Sequence, residues 1–323
     1  MLQLPEVLAV PVARHAVPDG NAVASDNREI AAQEVFRVLA WRSRSGDAQA
    51  PAIVLAHANG FCADLWRPIA TELSADYNVF AFDARGHGGT RAGTTFEDLR
   101  WEVLHADFNA LITALAERGY LRAPVIAVGH SMGGMTAVCA AAKAPQNFAQ
   151  LILLDPLVWW PEMAHKRRSQ ENKGRMAEGA RRRRPWFASR EVARRSWRPR
   201  DTFCAWHEDV FSAYLDYGLV ADGEGVSLAC APIAEATLFE AHWDEDMREL
   251  ARAIQCSGLV VHASNGHFPK VFHTELAELV AGFECVEFSG SHFFPMEQPG
   301  ATYEVIRAAI ADAHERMPIA GRP

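Results

Sequence analysis

Long apolar runs are missing from this chain. Nothing in its 323 residues approaches the ~20 consecutive apolar positions that a membrane-spanning helix needs, so no membrane span is expected. The first residues, Met1-Leu2-Gln3-Leu4-Pro5-Glu6, lack a basic stretch followed by a long apolar one, and no secretory signal is expected either. Paired cysteines are also missing. The six present (Cys62, Cys139, Cys204, Cys230, Cys256, Cys285) are scattered, form no C-x-x-C pair, and several sit inside apolar stretches. They read as reduced, buried small residues of a cytoplasmic protein, not as a disulfide frame or a zinc site. Positive charge is in overall deficit. A net charge of −8 argues against a general nucleic-acid or membrane binder. There is no internal repeat, and the one low-complexity stretch is Arg181-Arg182-Arg183-Arg184.

What is present is a soluble globular composition, 49% hydrophobic and 22% charged, long enough for one or two domains with a large core. The charge is uneven. Residues 156–205 hold 14 Lys/Arg against 5 acids, a local +9 that leaves −17 for the remainder. Such a run ordinarily marks the solvated outer face of helices; the alternative is steering of an anionic substrate or an acidic partner.

Strand and helix signals alternate along most of the chain. Strands are expected at 6–13, 34–41, 52–56, 77–82, 124–128, 148–154, 259–262 and 285–288, the second as a half-buried edge strand. Helices are expected at 64–74, 96–118, 134–142, 271–281 and 301–317. Strands alternating with helices imply an α/β fold, a mostly parallel, doubly wound sheet with right-handed crossovers. The pattern breaks after Asp155. About 90 charged, Trp-rich residues of helical tone follow before it resumes. We therefore expect a core of residues 1–155 and 246–323, with a helical cap of 156–245 over the carboxyl ends of the strands, where open parallel sheets bind ligands.

Gly129-His130-Ser131-Met132-Gly133 carries the chemistry. It follows the apolar run Pro124 to Val128 and precedes a small-residue helical stretch. A strand turning sharply into a helix at a serine is a nucleophile elbow: the flanking glycines permit the tight turn, and the hydroxyl is exposed above the sheet. A serine hydroxyl needs a base to remove its proton during attack. His292, after the last strand in a Gly-Ser context, is the best placed of the histidines; His57 is expected to order a loop, and His87, His262 and His267 to be structural or pocket-wall residues.

These pieces resemble the α/β-hydrolase superfamily, in its serine-nucleophile, helical-cap form. The matching motifs are His57-Ala58-Asn59-Gly60-Phe61 with Trp66, Asp83-Ala84-Arg85-Gly86-His87-Gly88, the Ser131 elbow, Leu153-Leu154-Asp155-Pro156, and Gly290-Ser291-His292-Phe293-Phe294-Pro295. They run in family order from about residue 34 to 316, with His57-Ala58 where the family usually has His-Gly. The resemblance implies the nucleophile Ser131, the base His292, and an oxyanion hole from the backbone N–H groups of Met132 and Asn59. The acid usually follows the strand at 259–262, where this chain offers Asn265 and no carboxylate. Asp155, used by some relatives, is the preferred acid; Glu235, Glu240, Asp244 and Asp246 remain open alternatives. Asp83 and Arg85 are expected to hold their own loop in place.

Six of the nine tryptophans lie between 156 and 245. Trp159, Trp160 and Phe61 are candidate substrate contacts lining an apolar pocket, although any one Trp serves equally well as glue between cap and core. The expected activity is cofactor-independent and metal-independent hydrolysis of a small carboxylic ester, thioester or lactone. Carbon–carbon bond hydrolysis, acyl transfer, or ligand reception without catalysis would retain the same groups. Dehalogenase and epoxide-hydrolase chemistry is disfavoured, because those relatives place Asp where Ser131 stands.

Overall fold

The computed structural model describes residues 4–13, 33–47, 50–90, 95, 98–160, 162, 167–241, 243 and 245–316. Its main sheet has eight strands: β1 (Glu6–Ala13), β2 (Gln33–Trp41), β3 (Ala52–Ala56), β4 (Asn78–Phe82), β5 (Val125–His130), β6 (Phe148–Leu154), β10 (Ser257–Asn265) and β11 (Phe283–Ser291). Their spatial order is β1-β2-β4-β3-β5-β6-β10-β11. β1 and β2 run antiparallel to their neighbours, and the other strands pair in parallel. β2 is not the expected edge. It pairs with β1 through Leu8↔Val38 and with β4 through Val38↔Phe82. Its alternation arises because one face is less deeply covered than the other, not because one side lacks a partner strand.

The central strands β3, β4 and β5 are buried at every position. Helices on both sheet faces account for these continuous apolar runs. Along β3, Val54 and Ala56 pack into one core layer while Ile53 and Leu55 pack into the other. The first layer takes α2 (Trp101–Glu117), which buries Leu104, Phe108, Leu111, Ile112 and Leu115 along one helical stripe, and α3 (Met132–Lys143). The second takes α1 (Arg67–Leu73) and the C-terminal helix α11 (Pro299–Arg316). α2 starts later than the pattern suggested. Thr95 donates its hydroxyl to Asp98 at 2.6 Å in a local turn, Arg100 is extended, and Phe96 lies outside the described residues.

Between β6 and β10 the chain forms α4 (Arg167–Arg181), α5 (Arg190–Trp197), α6 (Glu208–Tyr217) and α7 (Pro232–Glu240). It also forms a small antiparallel sheet, β7-β9-β8, from Trp186–Phe187, Gly225–Leu228 and Leu219–Asp222, so this region is not purely helical. Its core of Phe187, Trp197, Phe203, Trp206, Phe211 and Tyr214 is continuous with Phe61, Leu65 and Met296 of the main body. Two further helices complete the frame, α8 (Met247–Ala253) before β10 and α9 (Lys270–Leu279) between β10 and β11. A short α10 (Phe294–Glu297) leads into α11. Among the described residues no helix is long and apolar enough to cross a membrane.

Candidate active site

Ser131 sits where β5 ends and α3 begins, with φ 53° and ψ −113°. A non-glycine residue is held there only when its surroundings over-determine it, at a cost of roughly 1–3 kcal/mol. Three backbone hydrogen bonds do so: Ser131 N–H to Leu154 O, and Ser131 O receiving Met135 N–H and Leu157 N–H, each at 3.1 Å. The glycines follow from close approach. A Cβ on Gly133 would lie 2.2 Å from Ala56 O, and one on Gly129 would lie 2.4 Å from Gly133 O. The elbow therefore fits against β3 only without side chains at these positions. Ser131 remains half-buried at the carboxyl edge of the sheet, and its hydroxyl donates to no described residue.

His292 lies directly after β11, whose last residues include the Gly290-Ser291 pair expected in a loop. His130, the neighbour of Ser131, donates Nε2–H to His292 O at 2.8 Å, and their rings lie 4.8 Å apart. Burial and the nearby His292 push the His130 imidazole down to about 3, so it stays neutral and keeps this role. On the other side His292 donates Nδ1–H to Asp155 Oδ2 at 2.6 Å. That bond fixes the tautomer and leaves Nε2 with a free lone pair. His267 stacks on the same ring, 4.6 Å between centroids.

Asp155 directly follows β6, with φ 40°, and is wholly buried. Its backbone N–H donates to Val261 O at 2.7 Å, and its Oδ1 accepts Ala263 N–H at 3.0 Å. Burial alone would raise this carboxyl. The His292 hydrogen bond and electrostatic attraction, with the Ala263 N–H, outweigh burial and hold it below the usual carboxylate range. Gly266 makes room, since a Cβ there would come 2.7 Å from Asp155 Oδ2. The other acids considered point elsewhere: Glu235 to Arg183, Glu240 to Arg181, and Asp246 to the start of α8. Asp244 lies outside the described residues. Asn265 is exposed and, among the described residues, reaches only its neighbour Ser264, at 3.4 Å.

The loop after β3 faces the elbow. His57 contacts Ala58 O through Nδ1 at 2.8 Å and accepts Ala84 N–H at Nε2, tying this loop to the end of β4. His87 donates Nδ1–H to Arg85 O and accepts Gly60 N–H at Nε2, 3.0 Å away. With Nε2 so engaged, the Asn59 Oδ1 that lies 3.1 Å from it is a neighbour and not a second hydrogen-bond partner. Burial drives His57 down to about 4 and His87 to about 3, so both are neutral struts. Asp83 accepts Ala63 N–H at 2.7 Å and Gly89 N–H at 2.8 Å and pairs with Arg37. Arg85 is buried between Asp107 and Glu34 and bonded to both carboxylates. The backbone N–H groups of Asn59 and Met132 donate to no described residue. Met132 N–H is the first of α3, where the helix supplies no acceptor.

Among the described residues two clusters bring metal-binding residue types together, and both are already engaged. In Asp155, His262 and His273, the histidine Nδ1 atoms meet each other at 3.0 Å and His273 Nε2 donates to Pro156 O. In Cys62, Asp64 and Asp83, burial pushes the thiol well up, and both acids pair with Arg37.

Of the proposed substrate contacts, Trp160 is fully buried in the main core with the Arg248 guanidinium 5.0 Å over its ring, and Trp159 packs half-buried against that core. Phe61 meets Trp206 at 5.3 Å and Phe293 at 6.1 Å, and Phe293 lies 5.3 Å from the His292 ring. Besides His130, the rings that meet the imidazole are His267, Phe293 and Phe268, the last at 5.5 Å, and Phe61 and Trp206 pack on Phe293. Neither Phe268 nor Phe293 was among the expected contacts, although Phe293 adjoins His292 in sequence.

Residues 53–305 match the Alpha/beta hydrolase family, and the chain belongs to it. It is 35% identical over 113 residues to Epoxide hydrolase 3 of Xenopus tropicalis, covering 34% of this chain and 29% of that protein. It is 27% identical over 256 residues to Lipase LipV of Mycobacterium tuberculosis, covering 76% of this chain and 88% of that protein. Several curated relatives are matched only in part, the chain spanning 29 to 39% of their length. Among solved structures, E-2-(acetamidomethylene)succinate hydrolase superimposes with a TM-score of 0.73 at 18% identity, over 86% of this chain and 96% of that one. That likeness bears on the fold alone. The protein is an α/β hydrolase with esterase- and lipase-like relatives.

Proposed function

We propose that this protein hydrolyses a small carboxylic ester, thioester or lactone through an acyl-enzyme on Ser131. The observation that carries the reading is the 2.6 Å hydrogen bond from His292 Nδ1–H to the buried Asp155 carboxylate, on an imidazole that His130 ties to the elbow. In this reading His292 Nε2 takes the Ser131 proton as Oγ bonds to the substrate carbonyl carbon. The carbonyl oxygen gains negative charge and is met by the Asn59 and Met132 N–H groups. The bond to the leaving group then breaks, and His292 returns the proton to it. Water repeats the sequence: His292 takes its proton, the hydroxyl bonds to the acyl carbon, and Ser131 leaves with the proton restored. Asp155 stabilises the imidazolium in both halves.

Residues 156–245 act as a cap over the core of 1–155 and 246–323. Phe61, Phe293 and Trp206 supply the apolar wall for an acyl or aromatic group. The presence of Ser131 at the elbow, where an aspartate nucleophile would stand, favours ester over epoxide chemistry. Free cysteines, four of them buried, fit a reducing cytoplasm. The test is turnover of p-nitrophenyl esters of rising acyl length by wild type and Ser131→Ala. The reading expects turnover that depends on chain length and vanishes in the variant. Equal rates in the two proteins would overturn it.

A further inference from the structure

The arginine run is not uniformly a solvated face. Arg182 is exposed and pairs with Glu178 one turn back, and Arg181 pairs with Glu240 at the surface. Arg183, between Arg182 and Arg184, turns inward. Its guanidinium pairs with Glu235 and donates to Tyr214 Oη at 2.7 Å. Tyr214, only 1% exposed, donates its hydroxyl to Gly60 O at 3.0 Å. Glu235 contributes from its backbone too, its carbonyl accepting Asn59 Nδ2–H at 3.0 Å. The three residues come from separate elements of the inserted region: Arg183 just after α4, Tyr214 in α6, Glu235 in α7. All converge on one dipeptide, Asn59-Gly60.

That dipeptide has no slack. Gly60 holds φ 82°, and a Cβ on it would meet Glu235 Cδ at 2.8 Å and Arg183 Nη1 at 3.1 Å. From the core side His87 accepts the Gly60 N–H. The two peptide units that flank Gly60 are thus held, the first through its N–H by the core and the second through its carbonyl by the inserted region. Burial pushes the Tyr214 hydroxyl up to about 12, although the adjacent Arg183 charge opposes this, so it remains a donor throughout the working range.

We infer that Arg183, Tyr214 and Glu235 form a latch through which the cap sets the position of the Asn59 N–H, so that closing the cap and completing the oxyanion hole are one event. The inference rests on the proposed role of Asn59. The three are positioning residues: none needs to touch the substrate. A donor aimed at a developing oxyanion is worth 10²–10³ in rate, and an Asn59 N–H displaced but not removed forfeits part of that. The latch also has a functional corollary. With the cap raised, the serine would face solvent without its full oxyanion hole, which would suppress hydrolysis of esters too small to be held by the closed cap.

The experiment measures the second-order rate of inactivation by an alkyl fluorophosphonate, whose phosphoryl oxygen occupies the oxyanion position, together with kcat and KM for a p-nitrophenyl ester. The variants are Tyr214→Phe and the charge-free pair Arg183→Met with Glu235→Leu, which leaves no unpaired charge should either single change fail to fold. The surface change Arg182→Met, at a side chain 75% exposed, serves as control. Inactivation should slow about tenfold in both latch variants, with the loss in kcat and KM within twofold, while the control matches wild type. Folded latch variants that react within twofold of wild type would overturn the latch and leave the Ser131 reading standing. A wild type inert to the probe would overturn both.

Discussion

Replacing Asp155 by asparagine changes one oxygen for one NH2 at the best-determined point of the site. The direction of the effect follows from the second hydrogen bond that Asp155 makes. Ala263 N–H donates to Oδ1 at 3.0 Å, and that buried donor requires an acceptor, so the asparagine oxygen is held there. The NH2 must then face His292 Nδ1, 2.6 Å away in the native protein. Two donors cannot share that contact. His292 adopts the other tautomer, with its lone pair on Nδ1 and its proton on Nε2, where the base has to be free. Turnover should fall ~10³–10⁴-fold, about 4–5 kcal/mol of transition-state stabilisation, as expected for a triad acid exchanged for its amide. KM should change little. The assay is steady-state ester hydrolysis beside urea unfolding, which should show the variant folded. Asn265→Ala, changing an exposed side chain, should stay within about twofold of wild type. A folded Asp155→Asn enzyme within tenfold of wild type would refute the reasoning.

Other changes act on the frame around the site. Gly133→Ala drives a methyl to 2.2 Å from the Ala56 carbonyl, backbone that cannot yield, and should cost about 3 kcal/mol or prevent folding, read from the urea midpoint. Arg85→Met removes the buried guanidinium that is bonded to both the Glu34 and Asp107 carboxylates and should cost about 3–5 kcal/mol by the same measurement. Acid should destabilise the protein well before its carboxylates titrate. His57 is depressed to about 4 and His87 and His130 to about 3, chiefly by burial, whereas the unfolded chain takes up these protons near 6.5. The unfolded state therefore binds more protons between about 6.5 and the folded values, so stability is fully present above 6.5 and falls as pH drops through that window. The lowered Asp155 adds a further loss only at lower pH, below the ordinary carboxylate range. Urea midpoints between pH 7 and 4.5 should decline steadily; a flat profile would contradict neutral burial of these rings.

The parallel sheet was legible because burial on both faces writes continuous apolar runs, as in Ala52–Ala56 and Phe148–Leu154. The places of Ser131 and Asp155 were legible because each follows such a strand, whereas His292 follows the largely exposed edge strand β11 and its place was read from the motif at 290–295. The small sheet was not. Trp186–Phe187 is too short to show a period, and it exists through pairing with Gly225–Leu228. The inward turn of Arg183 was equally hidden, since a run of four arginines carries no mark of which one meets Glu235 and Tyr214. The crowding of His130, His267, His262 and His273 around His292 and Asp155 depends on residues far apart in the chain, and no local pattern encodes it.

The most direct test is intact-mass and peptide analysis of the protein after brief exposure to a fluorophosphonate. A single adduct on Ser131, absent in Ser131→Ala and formed orders of magnitude more slowly in His292→Ala, is the expected result. Modification at another residue, or equal labelling of wild type and His292→Ala, would mean that this imidazole does not activate the serine.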